Sequence, residues 1–247
     1  MSYEDGATAR EVWVCHLGSV PYADGVELQK QLCARRLAGE LPDLLLLLEH
    51  PPVYTHGRRA AAQELPFPAG FYAERGIEVH ASDRGGRVTY HGPGQLVGYP
   101  IMAVGDVHSH LRRMEQAIVA ALGQAGVEAR SRHREGIDYT GVWVGDRKIA
   151  SIGVHISHSI STHGFAVNVE NDLEPFSWVV ACGLPDVTMT SLALETAGEG
   201  EGLACFRKRV AYAFCRAHGA RQRLVTPARL GIEHAPAPPV LPAAAAA

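Results

Sequence analysis

The sequence predicts an α+β domain, a mixed or largely antiparallel sheet flanked by helices. Three observations predict it. Apolar residues recur at helical spacing in three separated stretches, apolar runs of strand length lie between them, and Tyr139 to Ile156 reads as a hairpin. Helices and strands are thus mixed, without the strict alternation of a parallel α/β fold. In chain order, Asp24 to Gly39 reads as a helix, with Asp24 and Glu27 at capping-box spacing and Val26, Leu32, Cys33 and Leu37 as its apolar positions. Leu44 to Leu48 has the length and composition of a buried strand. Further strands centre on Gly86, Val142, Ile152 and Val167. Leu111, Met114, Ile118, Ala121 and Leu122 mark a second helix stopped by Gly126, and Leu203, Phe206, Val210 and Phe214 a third stopped by Gly219. The stretch from Gly198 to Gly202 reads as a mobile surface loop. One domain is expected over residues 1–225, followed by a disordered Pro/Ala-rich tail over 226–247.

Composition narrows the function classes. At 247 residues, 47% of them hydrophobic, and with a net charge of −3, the chain is globular and large enough for one sizeable core. Met1 to Arg10 is polar and acidic, with no apolar signal core, and no stretch reaches the ~18–20 apolar residues of a membrane span, so a cytoplasmic location is expected. No basic run or recognition-helix pattern points to nucleic acid. The five cysteines, Cys15, Cys33, Cys182, Cys205 and Cys215, are odd in number and lack Cys-x-x-Cys spacing, which argues against a disulfide framework and a zinc site. Among the histidines, His155, His158 and His163 cluster best, yet no carboxylate or cysteine spacing completes a ligand set, so no metal is expected.

Two residues carry the chemistry. In the hairpin, Val142, Trp143 and Val144 enter, Gly145 and Asp146 turn, and Lys148 opens the return strand. Strand period puts Lys148 on the face of Ala150, Ile152, Val154 and Ile156, an apolar rim that disfavours an ammonium and suits a proton carrier. Cys182 lies in Ala181-Cys182-Gly183-Leu184-Pro185, where Gly183 and Pro185 break regular structure and leave the thiol on a bend, a common placement for a nucleophile. A third segment, Asp83 to Leu96, holds Gly85, Gly86, Gly92 and Gly94 beside Arg84 and Arg87, so backbone N–H groups can approach a ligand oxygen. It is neither a Walker loop nor a dinucleotide fingerprint. Thiol and amine together point to covalent acyl transfer through a thioester.

These stretches resemble the lipoyl/octanoyl transferases. The match runs through Leu48 to Thr55 with Gly57-Arg58, Arg84 to Gln95, Lys148 to Val154, His163 to Val169, and Ala181 to Leu184. The resemblance implies a fold like that of the biotin and lipoate protein ligases. It also implies Cys182 as the acyl-carrying nucleophile and Lys148 as the residue that lowers its pKa. Substrate contacts are implied at Arg84, Gly85, Gly86, Arg87, Val88, Thr89, Tyr90 and His91, at Ser151, Ile152 and Gly153, and at Gly164, Phe165 and Ala166. The implied reaction takes octanoyl from octanoyl-acyl carrier protein to a lysine of lipoyl domains. Those domains belong to 2-oxoacid dehydrogenase complexes and the glycine cleavage H protein, and the transfer is the first step of endogenous protein lipoylation. No cofactor is implied, and neither nucleic acid nor membrane is an expected partner.

Further expectations attach to this resemblance. Gly86, Gly153 and Gly164 are expected to leave room for the acyl chain. Some of Arg35, Arg36, Arg58, Arg59, Arg84, Arg87, Arg112 and Arg113 are expected to form a docking patch for the acidic carrier protein. Two other functions compete. An ATP-dependent ligase of the same fold would leave Cys182 without a task and lacks the ligases' Gly-Arg-Gly-Arg type of loop; a module that only binds lipoyl domains would acquire no acyl group.

Overall fold

The computed structural model describes residues 10–183 and 187–232, and of Cys182 the backbone alone. The thiol of Cys182, the Leu184 and Pro185 of its bend, and residues 233–247 of the expected tail lie outside the described residues. In chain order the elements are β1 (Glu11–Ser19), α1 (Tyr22–Leu37), β2 (Asp43–Glu49), β3 (Val53–His56), α2 (Ala69–Ala73), β4 (Glu78–Ala81), β5 (Val88–His91) and β6 (Gln95–Ile101). Then follow α3 (Val107–Gln124), β7 (Arg130–Ser131), β8 (Gly141–Val144), β9 (Arg147–Ser157), β10 (Ile160–Asn168), α4 (Leu192–Glu195), α5 (Leu203–Ala217) and β11 (Arg221–Val225).

Eight strands form one sheet in the order β11-β1-β2-β6-β10-β9-β8-β7, and β4-β3-β5 form a second, smaller one. The pairs β1–β11, β1–β2 and β3–β4 are parallel; the ladders from β2 through β6, β10, β9 and β8 to β7 are antiparallel. The expected mixed, largely antiparallel sheet with flanking helices is what forms.

The leucine run of β2 shows how the large sheet is buried. Leu45 and Leu47 join Met114 and Ile118 of α3 and Phe206 and Phe214 of α5 on one face, while Leu44, Leu46 and Leu48 join Leu32 of α1 on the other. A strand covered on both sides reads as a continuous apolar run instead of an alternating one. Asp106 caps α3 by accepting from the Ser109 N–H at 2.6 Å.

Helix α1 departs from the sequence expectation. It begins at Tyr22 behind Pro21, and no side chain caps it, so the Asp24/Glu27 pair is not a capping box. Its buried stripe is Tyr22, Gly25, Gln29 and Leu32, and Leu37 is exposed. Gln29 is buried for a polar reason: its Oε1 accepts from the His163 N–H at 2.6 Å. At the other end, Pro227–Leu230 form a 3₁₀ turn within the segment expected as tail. Leu230 is buried beside Cys15 and Leu41, and Arg35 donates to its carbonyl. Among the described residues no helix is long and apolar enough to cross a membrane.

Candidate active site

The Gly-rich segment leads into β5 and lies across the end of β3. Arg84 is buried at its root, with Nη2 donating to the Thr55 carbonyl at 2.7 Å and Nε to Thr55 Oγ1 at 3.1 Å. Backbone bonds pin the loop on both flanks: Arg58 N–H to Arg84 O, Arg59 N–H to Gly86 O, and Gly85 N–H to Val154 O at 2.9 Å. This last bond draws the loop onto β9. A Cβ on Gly153 would lie 2.6 Å from the Gly85 carbonyl oxygen, and one on Gly164 would overlap the Gly98 carbonyl of the neighbouring strand. These glycines therefore allow close backbone approach. The expectation that they leave space for a ligand chain is corrected.

Lys148 occupies a position that strict strand alternation misassigns. Gly141 pairs with Ser151 and Val142 with Ala150, but Trp143 pairs with Lys148, so Ile149 is an extra residue in β9. Such a bulge re-aims the side chains beyond it. Lys148 consequently shares the face of Gly141, Trp143, Ser151 and Gly153, whereas Val142 and Ala150 face α3 and α5. Its side chain is buried with Nζ 5.3 Å from the centre of the Trp143 ring, and Trp143 Nε1 donates to the Tyr139 carbonyl at 3.0 Å. Glu115 of α3, itself buried, accepts from the Gly141 N–H at 3.0 Å and from Ser131 and Arg112, which fixes β8 behind the lysine.

The segment following Cys182 is tied to this strand. Lys148 N–H donates to Thr188 O and Thr190 N–H to Lys148 O, each at 2.9 Å. On the other side, Ala181–Gly183 form a 3₁₀ turn whose Gly183 abuts the Arg87 side chain, and Val180 N–H donates to the Glu64 carbonyl. A buried polar chain joins the same segment to β5. Asn168 Nδ2 donates to Thr190 O at 3.0 Å, Gln95 Nε2 to Asn168 Oδ1 at 2.9 Å and to Tyr90 O at 3.1 Å, and Gln95 Oε1 meets His91 Nδ1 at 2.7 Å. Beside it His50, wholly buried, meets Val20 O and Tyr99 Oη, each at 2.6 Å, and burial pushes its imidazole down to about 4.

These elements enclose a cavity of about 350 Å³. Arg84, Gly85, Gly86, Arg87, Val88, Thr89 and His91 line it together with Lys148, Ser151, Ile152, Gly153, Gly164, Phe165 and Ala166. Tyr90, expected with them, faces the other way, into an aromatic cluster with Tyr54 and Phe176. The deep wall adds Tyr22, Val97, Tyr99 and His163, and the mouth adds Val107, Ile137, Asp138, Thr140, Arg58 and Arg59. Val97 and Tyr99 are alternate positions of an apolar strand; the mouth residues come from loops, short turns and, for Val107, the first residue of α3, and carry no periodic signal.

The histidines expected as the best metal cluster have other work. His163 Nε2 meets Asp83 Oδ1 at 2.6 Å, and His155 lies 3.7 Å from the same carboxylate. Burial pushes His163 down, and although burial opposes it, the hydrogen bond from His163 holds Asp83 below its ordinary value; a neutral imidazole donating Nε2–H satisfies both. No grouping of three or more candidate metal ligands occurs among the described residues.

Of the arginines expected to include a docking patch, Arg58 and Arg59 stand at the cavity mouth. Arg84 is buried on Thr55, and Arg35, Arg36, Arg59, Arg87 and Arg112 are ion-paired with Glu40, Asp43, Asp138, Glu64 and Glu115.

The model of the lipoyl protein ligase A/B catalytic domain matches residues 21–215. The chain is 48% identical over 186 residues to an octanoyltransferase of Rubrobacter xylanophilus, covering 74% of this chain and 82% of that protein. It is 43% identical over 215 residues to an octanoyltransferase of Mycobacterium ulcerans, covering 83% and 87%. This chain belongs to the octanoyltransferase family. As an enzyme of that family it is a transferase, and the family resemblance of its motifs is borne out. The crystal structure of a lipoate-protein ligase A bound with ATP superposes with a TM-score of 0.73 at 20% identity, covering 87% of this chain and 89% of that one. A bi-partite lipoate protein ligase from Thermoplasma acidophilum gives 0.69 at 17%, covering 87% of each chain. The octanoyltransferase fold here is thus the lipoate-ligase fold that the sequence led us to expect.

Proposed function

We propose that this octanoyltransferase takes octanoyl from octanoyl-acyl carrier protein onto Cys182 as a thioester and passes it to the ε-amine of a lysine on a lipoyl domain. The observation that carries the reading is the convergence of Lys148 and the three glycine-bearing segments on one cavity, with the backbone around Cys182 held against Arg87 on one side and the Lys148 strand on the other. In the first half-reaction the Cys182 thiolate attacks the donor carbonyl, the carbon–sulfur bond to the donor breaks, and Lys148 protonates the departing sulfur. In the second, the acceptor amine attacks the Cys182 thioester, the carbon–nitrogen bond forms, the thiolate leaves, and the now neutral Lys148 takes the surplus proton. A thioester donor is already activated, so no nucleotide is consumed.

The acyl chain needs an apolar wall, which Val97, Ala166 and the rings of Tyr22 and Tyr99 supply on the Lys148 face of the sheet. Seven carbons beyond the carbonyl, at ~0.8 kcal/mol each, give an upper bound of about 5–6 kcal/mol of binding. Lipoyl domains of 2-oxoacid dehydrogenase complexes and the glycine cleavage H protein are the acceptors we propose, in the cytoplasm. Intact-mass measurement after incubation with octanoyl-acyl carrier protein tests the reading. The wild-type chain should gain one octanoyl group and Cys182→Ala none, with turnover lost. Normal turnover by Cys182→Ala, or activity only with free octanoate and ATP, would overturn it.

A further inference from the structure

The orientation of every group in the polar chain behind the cavity can be derived from one backbone carbonyl. Thr190 O can only accept, so Asn168 presents Nδ2 to it and turns Oδ1 toward Gln95. Asn171 Nδ2 also points at that Oδ1, at 3.3 Å. Gln95 must then supply Nε2, which it does to Asn168 Oδ1 and to Tyr90 O, and its Oε1 is left facing His91 Nδ1. An oxygen with no proton requires a donor, so His91 carries its proton on Nδ1. Burial holds the His91 imidazole well below its ordinary value, which keeps it neutral. Its other nitrogen, Nε2, is therefore a bare lone pair, and His91 is part of the cavity wall.

A fixed acceptor in an acyl-transfer cavity is informative because most of the reacting groups cannot use it. A thioester carbonyl, a thiolate and a phosphate present only lone pairs and are repelled by it. A primary amine presents N–H bonds, and an amine that spends one of them on a fixed acceptor has its own lone pair oriented for attack. We propose that His91 Nε2 binds the incoming primary amine of the second half-reaction, accepting one of its N–H bonds while the amine nitrogen attacks the acyl carbon. The proposal rests on the thioester function proposed above. The carbon–nitrogen bond forms, the carbon–sulfur bond to Cys182 breaks, and the surplus proton leaves with Lys148; His91 keeps its own proton on Nδ1 throughout.

The test separates loading from transfer in single-turnover experiments on the whole chain. Octanoyl-acyl carrier protein is the donor, an apo-lipoyl domain the acceptor, and intact mass the readout. His91→Asn retains a side-chain N–H for Gln95 and removes the acceptor at the Nε2 position, and the ratio of transfer rate to loading rate should fall about tenfold, the worth of one well-aligned hydrogen bond. His91→Gln restores an oxygen close to that position, and the ratio should return to within about threefold of wild type. An unchanged ratio in His91→Asn, or an equal fall in both variants, would overturn the amine site. A wild-type chain that forms no adduct would instead sink the thioester function. The variants would then be compared by amide formed per donor consumed: a fall in His91→Asn with recovery in His91→Gln supports the amine site, and no difference between them overturns it.

Discussion

Lys148 and Trp143 are direct partners across the β8–β9 ladder, and the lysine nitrogen stands 5.3 Å from the centre of the indole ring. The pairing exists because Ile149 is an extra residue, so the ring and the ammonium share one face of the sheet.

That relationship predicts a difference between two substitutions that both remove the indole and its hydrogen bond to the Tyr139 carbonyl. Trp143→Phe keeps an aromatic face and should transfer octanoyl within about threefold of wild type. Trp143→Leu keeps apolar bulk but loses a cation–π contact worth ~1 kcal/mol, so its kcat should fall roughly a further fivefold. Equal kcat values at equal stability would reduce the indole to filler.

The glycines supply a second prediction. Gly153→Ala would set a methyl group against the Gly85 carbonyl at 2.6 Å and push the Arg84–Arg87 loop off β9. Stability should fall by about 1–3 kcal/mol, as overpacking does elsewhere, and loading of six-, eight- and ten-carbon donors should fall together. An optimum that simply moves to shorter chains, with the unfolding midpoint unchanged, would show that the glycine opens the slot after all.

Most of the fold could be read from the chain because its signals were local and periodic. The five leucines of β2, the apolar rows of α3 and α5, and the Gly145-Asp146 turn each specify their element without help from distant residues. The losses came where distant residues decide. Tyr22 and Gln29 are buried in α1 because the cavity and the His163 backbone lie beneath them, which no helical pattern announces. Strand period puts Lys148 on the wrong face, since period-2 counting cannot see an inserted residue. Leu230 and Ile232, in a Pro/Ala-rich stretch, carry too little apolar periodicity to signal that they pack against the core cluster of Cys15 and Leu41.

Cysteine reactivity should divide along burial. Burial pushes the Cys15 thiol up to about 11 and the Cys215 thiol up to about 12, so both stay protonated and shielded at neutral pH, while Cys205 is exposed. Peptide mapping after iodoacetamide treatment at a pH of about 7.5, below the ordinary thiol pKa, should find Cys205 labelled and Cys15 and Cys215 labelled only after unfolding. Modification of Cys15 in the folded chain at a rate like that of Cys205 would contradict the packing described.

Acid should destabilise the fold through its buried imidazoles. Burial pushes His50, His110 and His218 each down to about 4, and His110 and His218 lie against one another. The unfolded chain binds these protons near pH 6.5 and the folded chain does not until near 4. Stability is therefore fully present above about pH 6.5 and is lost as pH falls toward 4, by ~1.4 kcal/mol per pH unit for each histidine. Urea midpoints measured from about pH 7 down to about 5 should fall steadily. A flat profile would mean that these rings are protonated in the native state or reach water.

The parallel pairing of β1 with β11 brings Glu11 opposite Arg221, so β1 receives its outer neighbour only after nearly every other described element has been made. During synthesis, which proceeds from the N-terminus, β1 can dock on β2 early while its far edge stays open for the rest of the chain's emergence. Closing such a large loop is slow relative to local hairpins. The nascent protein therefore carries an unpaired strand edge of Val12, Val14 and Cys15 until β11 arrives, and during that interval the chain is most exposed to pairing with another copy of itself.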